Sequence, residues 1–328
     1  MHSITVFSTQ PYDSESLTHW GAGQFNWQFV SQKLDTVTAS QAAGSNAVCV
    51  FVNDDLSKPV LDALAALGIK TIVLRCAGYN NVDVAYAKQL GFQLARVPAY
   101  SPEAVAEHCI AMILCLSRKL HKAYNRVRDD NFSLNGLLGF NLHGKTIGII
   151  GTGRIGITTA KILSGFGCNV LCVDPQPQPQ LPSESCRYVE LAELYQQADI
   201  ISLHCPLTPE TFHMINQQSL AQMKTGVMLI NTSRGGLIDT KAVIEGLKSK
   251  RIGYLGLDVY EQEADLFFKD LSDHVIADEV FQRLLTFPNV LITGHQAFFT
   301  AEALAQIGQI TCQNLHALLN NQACANCL

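Results

Sequence analysis

The sequence predicts an α/β protein made of two doubly wound parallel-sheet domains, and three observations carry that reading. The chain has 328 residues, a length that suits about two domains. Short apolar, β-branched runs alternate with helix-length segments along nearly all of it. These runs are continuously apolar rather than alternating, the pattern of strands covered on both faces by crossover helices.

In chain order, SITVFST, NAVCVFV, KTIVLRC and FQLARV read as the strands of a first sheet. KTIGIIG, NVLCVD, DIISLHC, GVMLINT, YLGLDV and NVLITG read as those of a second. Between the two series lies SPEAVAEHCIAMILCLSRKL, where Ser101 suits an N-cap, Pro102 the first helical position and Glu103 the positive helix end. Its middle, residues 109–116, is the longest unbroken apolar run. A stretch apolar all round is more than one layer of sheet buries, so this helix is expected to cross between domains and to lend a face to a second subunit. TAEALAQIGQITCQNLHALL, from Thr300, should form a closing helix that returns to the first domain. The expected boundaries are 1–100 completed by 299–328 for one domain and 101–298 for the other, with a cleft between them. The biased stretch PQPQPQLP, residues 175–182, reads as a surface loop.

Composition narrows the function. The chain is 48% hydrophobic and 16% charged, which excludes a largely disordered polymer. With 23 Lys+Arg against 28 Asp+Glu, its net charge of −5 lacks the basic footprint of a nucleic-acid binder. No apolar run approaches the ~18 residues of a spanning helix, and MHSITVFSTQ has no basic or apolar leader region. A cytoplasmic protein with no membrane or nucleic-acid partner is expected. Eleven cysteines, scattered singly through apolar stretches, fit buried thiols in a reducing compartment. Only Cys324 and Cys327 form a C-x-x-C. With no second pair to complete a zinc site, they read as a frayed terminus, and no metal is expected. The N-x-S tripeptides at Asn131 and Asn231 mean nothing without secretion.

IGIIGTGRIGITTA is the most informative motif. Gly151, Gly153 and Gly156 form G-x-G-x-x-G directly after a strand and at the start of a helical pattern. The first permits a tight turn, the second admits a pyrophosphate to the backbone, and the third lets helix and strand pack closely. Asp174 ends the next strand, 18 positions after Gly156, where a carboxylate accepts from both ribose hydroxyls and repels a 2′-phosphate. A Rossmann domain binding NAD rather than NADP follows.

Three residues lie just beyond later strands: Arg234 in NTSRGG, Glu263 in LDVYEQEAD and His295 in TGHQAFF. In a doubly wound sheet, ligands bind outside the carboxyl ends of the strands, so separate strands can bring them to one place. Reduction of a 2-oxo acid needs a cation for the carboxylate and a proton for the carbonyl oxygen. Arg supplies a rigid fork, and His is the acid/base suited to neutral pH. A neighbouring carboxylate favours the imidazolium and orients the ring. Singly, each has an ordinary structural explanation. His108, His121, His143, His204 and His213 lack such a set and are not assigned chemistry.

Together, GTGRIG, Asp174, NTSRGGLID, GLDVYEQE and GHQAF resemble the D-2-hydroxyacid dehydrogenases, in their D-lactate dehydrogenase branch, over essentially the whole chain. The resemblance implies a flavodoxin-like substrate domain beside the Rossmann domain. It gives Arg234 the substrate's carboxylate and carbonyl, His295 the acid/base role, and Glu263, rather than Glu261, the support of that histidine. It implies that the backbone of Ala77 and Gly78 holds the carboxylate and that Tyr100 lines the substrate site. Arg154 and Ile155 within the glycine motif, with Cys205, Pro206, Thr232 and Asp258, are the further cofactor contacts it implies. Phe298 and Phe299 are either core or an apolar wall for a small side chain. The expected reaction is reversible reduction of pyruvate to D-lactate by NADH in a homo-oligomer, dimer or tetramer. A bulkier D-2-hydroxy acid is the nearest alternative, and an NAD(H)-sensing corepressor-like protein an alternative of another class. Formate dehydrogenases of this lineage carry Gln where Glu263 stands, which disfavours formate. Phosphoglycerate dehydrogenases often add a regulatory domain, whereas 33 residues follow His295 here.

Overall fold

The computed structural model describes all 328 residues, the side chain of Asp265 excepted. The chain divides into two compact units, Met1–Ser101 with Phe299–Leu328, and Pro102–Phe298. Both are α/β, each around a wholly parallel sheet.

The first unit carries β1 (His2–Val6), β2 (Phe25–Phe29), β3 (Ala47–Val50), β4 (Thr71–Leu74) and β5 (Gln93–Arg96) in the order β2-β1-β3-β4-β5, the flavodoxin-like arrangement. Its helices are α1 (Pro11–Trp20), α2 (Lys58–Ala66) and α3 (Val84–Gln89), with α11 (Ala301–Leu319) from the far end of the chain. Helix α11 starts where Thr300 caps it, its side chain accepting from the Ala303 N–H, and it packs on α1, β4 and β5. The central strands β3 and β4 are buried throughout. At their carboxyl ends lies a polar knot that the sequence gives no hint of. The fully buried Arg75 pairs with Asp13 at 3.1 Å and donates to the Ser8 carbonyl at 2.8 Å.

The second unit begins with α4 (Pro102–Arg118) and α5 (Leu120–Arg128). Then come β6 (Thr146–Ile150), α6 (Arg154–Gly165), β7 (Asn169–Val173), β8 (Cys186–Tyr188), α7 (Leu191–Gln197) and β9 (Ile200–Leu203). The remainder is α8 (Gln217–Gln222), β10 (Val227–Asn231), α9 (Thr240–Lys248), β11 (Ile252–Leu257), α10 (Glu279–Leu285) and β12 (Val290–Ile292). The sheet order is β12-β11-β10-β9-β6-β7-β8, a Rossmann order with a seventh strand. The apolar middle of α4 is covered by β10, β11 and β12 together with α6.

Two strands escape the sequence pattern. FNWQF forms β2 and CRY forms β8, each at a sheet edge with one partner strand. The chain end also differs from expectation. Instead of fraying, it lies antiparallel on β5: the Arg96 N–H donates to the Asn326 carbonyl (3.1 Å) and the Leu328 N–H to that of Leu94 (3.0 Å).

Candidate active site

The register of the second sheet aligns the ends of its strands. Val173, Ile150, Leu203, Asn231, Leu257 and Ile292 form one transverse row across β7, β6, β9, β10, β11 and β12. The next residue on each strand is therefore Asp174, Gly151, His204, Thr232, Asp258 and Thr293. Connections leave β6 and β9 in opposite directions along the sheet, so the point where ligands bind in such sheets falls beyond these two.

The glycine turn sits there. Gly151 adopts φ +96°, and a Cβ on it would lie 2.6 Å from the Cys205 nitrogen. A Cβ on Gly156 would meet the Gly151 carbonyl oxygen, so the helix presses directly on the turn. Gly153, the N-cap of α6, is different: nothing lies within 4 Å of its Cβ position. That open space lies before the N–H groups of Arg154 and Ile155 at the helix start, which have no acceptor among the described residues, and it has room for a phosphate. Asp174 Oδ2 accepts from the Thr152 N–H (2.6 Å) and hydroxyl (3.0 Å), and its Oδ1 from the Gln176 N–H (2.8 Å). These bonds fix the carboxylate at the end of β7 and leave it further lone pairs. Cys205 is buried and Pro206 exposed; burial pushes the Cys205 thiol up to about 11. The buried Thr232 hydroxyl has no protein partner among the described residues. The open glycine, the anchored acid and this orphaned hydroxyl fit a dinucleotide. His204 is desolvated to a pKa of about 4 and stays neutral, hydrogen-bonded to Ser202 at 2.9 Å.

Arg234, Glu263 and His295 follow three neighbouring strands, β10, β11 and β12, at the same end of the sheet. Arg234 is half-buried, and its guanidinium donates to the Ser233 carbonyl at 2.6 Å. Among the described residues it pairs with no carboxylate. Glu263 Oε2 accepts from the Tyr260 N–H at 2.9 Å, and its Oε1 lies 2.9 Å from His295 Nδ1. Both side chains are largely buried, 15% exposed for His295 and 22% for Glu263. Among the described residues His295 Nε2 has no partner. The structure thus joins Glu263 to His295, while Glu261 turns to His213 (2.6 Å) and Thr240 (2.9 Å).

Behind this pair lies a buttress that sequence reasoning missed. Asp258 is fully buried. Its Oδ1 accepts from the Thr293 hydroxyl (2.5 Å) and the Gln296 N–H (2.9 Å), its Oδ2 from the Ala297 N–H (2.9 Å). His108 of α4 reaches Oδ1 at 3.4 Å and Thr293 at 3.1 Å. The Asp258 carbonyl also accepts from the His295 N–H at 2.7 Å. Burial, the largest influence on this carboxyl, works to raise its pKa, but the hydrogen bonds from His108, Thr293, Ala297 and Gln296 together hold it below the usual range. No sequence signal marked His108, which lies within a helix far from any motif. Phe298 is buried.

In the first unit, Ala77 and Gly78 follow β4. Arg96 donates to the Ala77 carbonyl at 2.6 Å and lies over the Tyr79 ring. Among the described residues, the N–H groups of Ala77 and Gly78 have no acceptor. Tyr100 is half-buried near the end of this unit's first segment, and Phe299 stands edge-on to Tyr12 at 4.7 Å.

Residues 110–297 match the family described as D-isomer specific 2-hydroxyacid dehydrogenase, NAD binding domain. The chain belongs to that family. It is an NAD-dependent oxidoreductase. A D-lactate dehydrogenase from Escherichia coli is 53% identical over 324 residues, covering 98% of each chain. The apo-structure of D-lactate dehydrogenase from Escherichia coli superposes with a TM-score of 0.90 at 51% identity over 99% of both chains. D-lactate dehydrogenase from Aquifex aeolicus, complexed with NAD and lactic acid, gives 0.87 at 34% identity, over 97% of this chain and 96% of that one. Among the described residues no helix is long and apolar enough to cross a membrane, and no acidic, His and Cys group is suited to a metal.

Proposed function

We propose that this protein is a D-lactate dehydrogenase that reversibly reduces pyruvate. The observation that carries the reading is the His295–Glu263 pair, with Nε2 unpartnered and the Arg234 guanidinium, two strands away, paired with no carboxylate among the described residues. Similarity to enzymes named D-lactate dehydrogenase supports the substrate. NADH, when bound, supplies the hydride. Gly151, Gly153, Arg154, Ile155 and Gly156 hold its phosphates, Asp174 its ribose, and Cys205, Pro206, Thr232 and Asp258 flank the rest. Arg234 holds the keto acid by its carboxylate and carbonyl in a charge-assisted fork. His295 carries a proton on Nε2 and gives it to the oxygen that becomes the hydroxyl. Glu263 fixes the ring through Nδ1 and balances the imidazolium. The first unit, 1–101 with 299–328, is the substrate domain: the N–H groups of Ala77 and Gly78 serve the carboxylate, and Tyr100 packs beside the substrate. Phe298 serves as an apolar wall for a small side chain.

The same reading makes the protein a cytoplasmic homo-oligomer without nucleic-acid or membrane partners. Eight of its eleven cysteines are buried, which suits a reducing compartment. Helix α5 buries no residue and exposes Leu120, Tyr124 and Val127 at i, i+4 and i+7, one apolar face suited to a second copy.

The test is NADH oxidation across a panel of 2-oxo acids. Pyruvate should be the best substrate, and His295→Ala should cost at least about a hundredfold in kcat, the usual scale for a general acid. Preference for a branched or longer acid would transfer the enzyme to that substrate. Tight NADH binding with no turnover of any acid would instead mark a sensor.

A further inference from the structure

Cys324 and Cys327 are the cysteine pair that the proposed reaction leaves unused. Ala325 and Asn326 are the central residues of a turn, so the two cysteines occupy its first and fourth positions. Such positions have Cα atoms within about 7 Å, the range that a disulfide spans without moving backbone. Cys327 is exposed, and Cys324 is partly so. Burial pushes Cys49, Cys109, Cys172 and Cys312 up to about 12, and Cys168 and Cys205 to about 11, which leaves them inert.

The tail that carries the pair is wired to the first unit's sheet end. Cys324 Sγ donates to Asn314 Oδ1 (3.5 Å), and Asn326 Nδ2 reaches the same oxygen (2.9 Å). Asn314, almost fully buried, donates through Nδ2 to the Arg96 carbonyl at 2.9 Å. Arg96 in turn holds the Ala77 carbonyl at 2.6 Å.

We infer that Cys324 and Cys327 form a thiol–disulfide switch, closed by exchange with a small disulfide and read by the Ala77–Gly78 loop through Asn314 and Arg96. The exchange balances without any other reactant. The Cys327 thiolate attacks one sulfur of a disulfide RSSR, forming a mixed disulfide and releasing RS⁻. Cys324 then loses its proton and attacks Cys327 Sγ, releasing the second RS⁻. Two protein thiols are oxidised, one RSSR is reduced to two thiols, and the two protons pass to the released thiolates. Burial, and contact with the Cys324 thiol, push the Cys327 pKa up, so the first step is slow near neutrality and quickens as pH rises; what sets Cys327 apart from the buried thiols is that a small disulfide can reach it. Ring closure consumes the Cys324 S–H that donates to Asn314. That slackens the hold of Asn314 on Arg96, and of Arg96 on the loop. The loop's effect on substrate rests on the function proposed above; the disulfide itself does not.

The full-length protein, equilibrated in glutathione disulfide and then in reduced glutathione, tests this. Intact mass should show reversible loss of two hydrogens, with peptide mapping joining Cys324 to Cys327. Amide hydrogen exchange over residues 76–79 should become severalfold faster on oxidation, a readout independent of turnover. KM for pyruvate should rise severalfold with kcat little changed. Cys324→Ser and Cys327→Ser should abolish all three responses, and Cys115→Ser should keep them. A persistent glutathione adduct without ring closure, a disulfide elsewhere, or unchanged exchange in the closed form would overturn the inference. If mass and exchange respond but neither form turns over any 2-oxo acid, the proposed function fails and the switch stands.

Discussion

His295 holds a left-handed backbone conformation, φ +55°, which few residues other than glycine adopt and which costs of order 1–3 kcal/mol. The Asp258 carbonyl, accepting its N–H, and Glu263, accepting from its ring, keep it there. Glu263→Gln retains an oxygen toward Nδ1 but removes the charge beside the imidazolium. The kcat of pyruvate reduction should therefore fall at least tenfold, the equivalent of ~1.4 kcal/mol in the barrier; unchanged turnover would take Glu263 out of that role. Asp258 makes a separate, measurable claim. Its carboxyl is held below the usual range, so it binds a proton less readily folded than unfolded. Its stabilisation is whole above about pH 4, the unfolded value, and fades as pH falls through the lower folded value. Asp258→Asn should cost ~3 kcal/mol near neutrality, since a buried amide must face two backbone N–H donors. Its unfolding free energy should also lose part of the wild-type slope in acid. His295, Glu263 and Arg234 could be picked out because each sits in a short motif just beyond the end of a strand, three, six and three residues past β12, β11 and β10. The Asp258 buttress could not, because His108 and Thr293 meet it only after the chain has folded.

The elements legible in the sequence are those whose burial forces a continuous apolar run. Strands β3, β4, β9 and β10 are buried along their whole length and read plainly. The edge strands β2 and β8 each have one neighbour and expose part of their length, so alternating or mixed residues serve there and no run appears. The turn from β6 into α6 divides its glycines by what surrounds them, and two variants separate the roles. Gly153→Ala places a methyl where nothing lies within 4 Å. Its thermal unfolding should stay near wild type, while NADH affinity falls at least tenfold, about 1.4 kcal/mol, as the methyl enters the phosphate cradle. Gly156→Ala drives its methyl into the Gly151 carbonyl and should lower stability by several kcal/mol, in the manner of an overpacked core. Equal losses of stability in both, measured by calorimetry, would contradict this division.

At the scale of the molecule, the return of α11 to the first unit ties residues 299–328 to residues 1–101. That return was legible because Thr300 and the apolar period of the closing helix are local signals, whereas the docking of the last residues on β5 rests on backbone hydrogen bonds that no side-chain pattern announces. The assembly proposed above rests on a different kind of signal, apolar residues left over. Leu120, Tyr124 and Val127 are each at least half exposed on α5, and Phe132, Leu134 and Leu138 follow them more exposed still. Apolar residues exposed together in one short stretch mark an interaction surface, and a second copy offering the same face would cover them in an isologous contact. Leu120→Glu with Val127→Glu places two like charges on that face without touching the unit's core. The wild-type protein should sediment as an oligomer whose unfolding temperature rises with concentration, because association stabilises the folded state by mass action. The double variant should sediment as a folded monomer whose unfolding temperature does not depend on concentration. If both sediment as the same oligomer, α5 is not the contact; if both are monomers, the exposed face serves something other than a second copy.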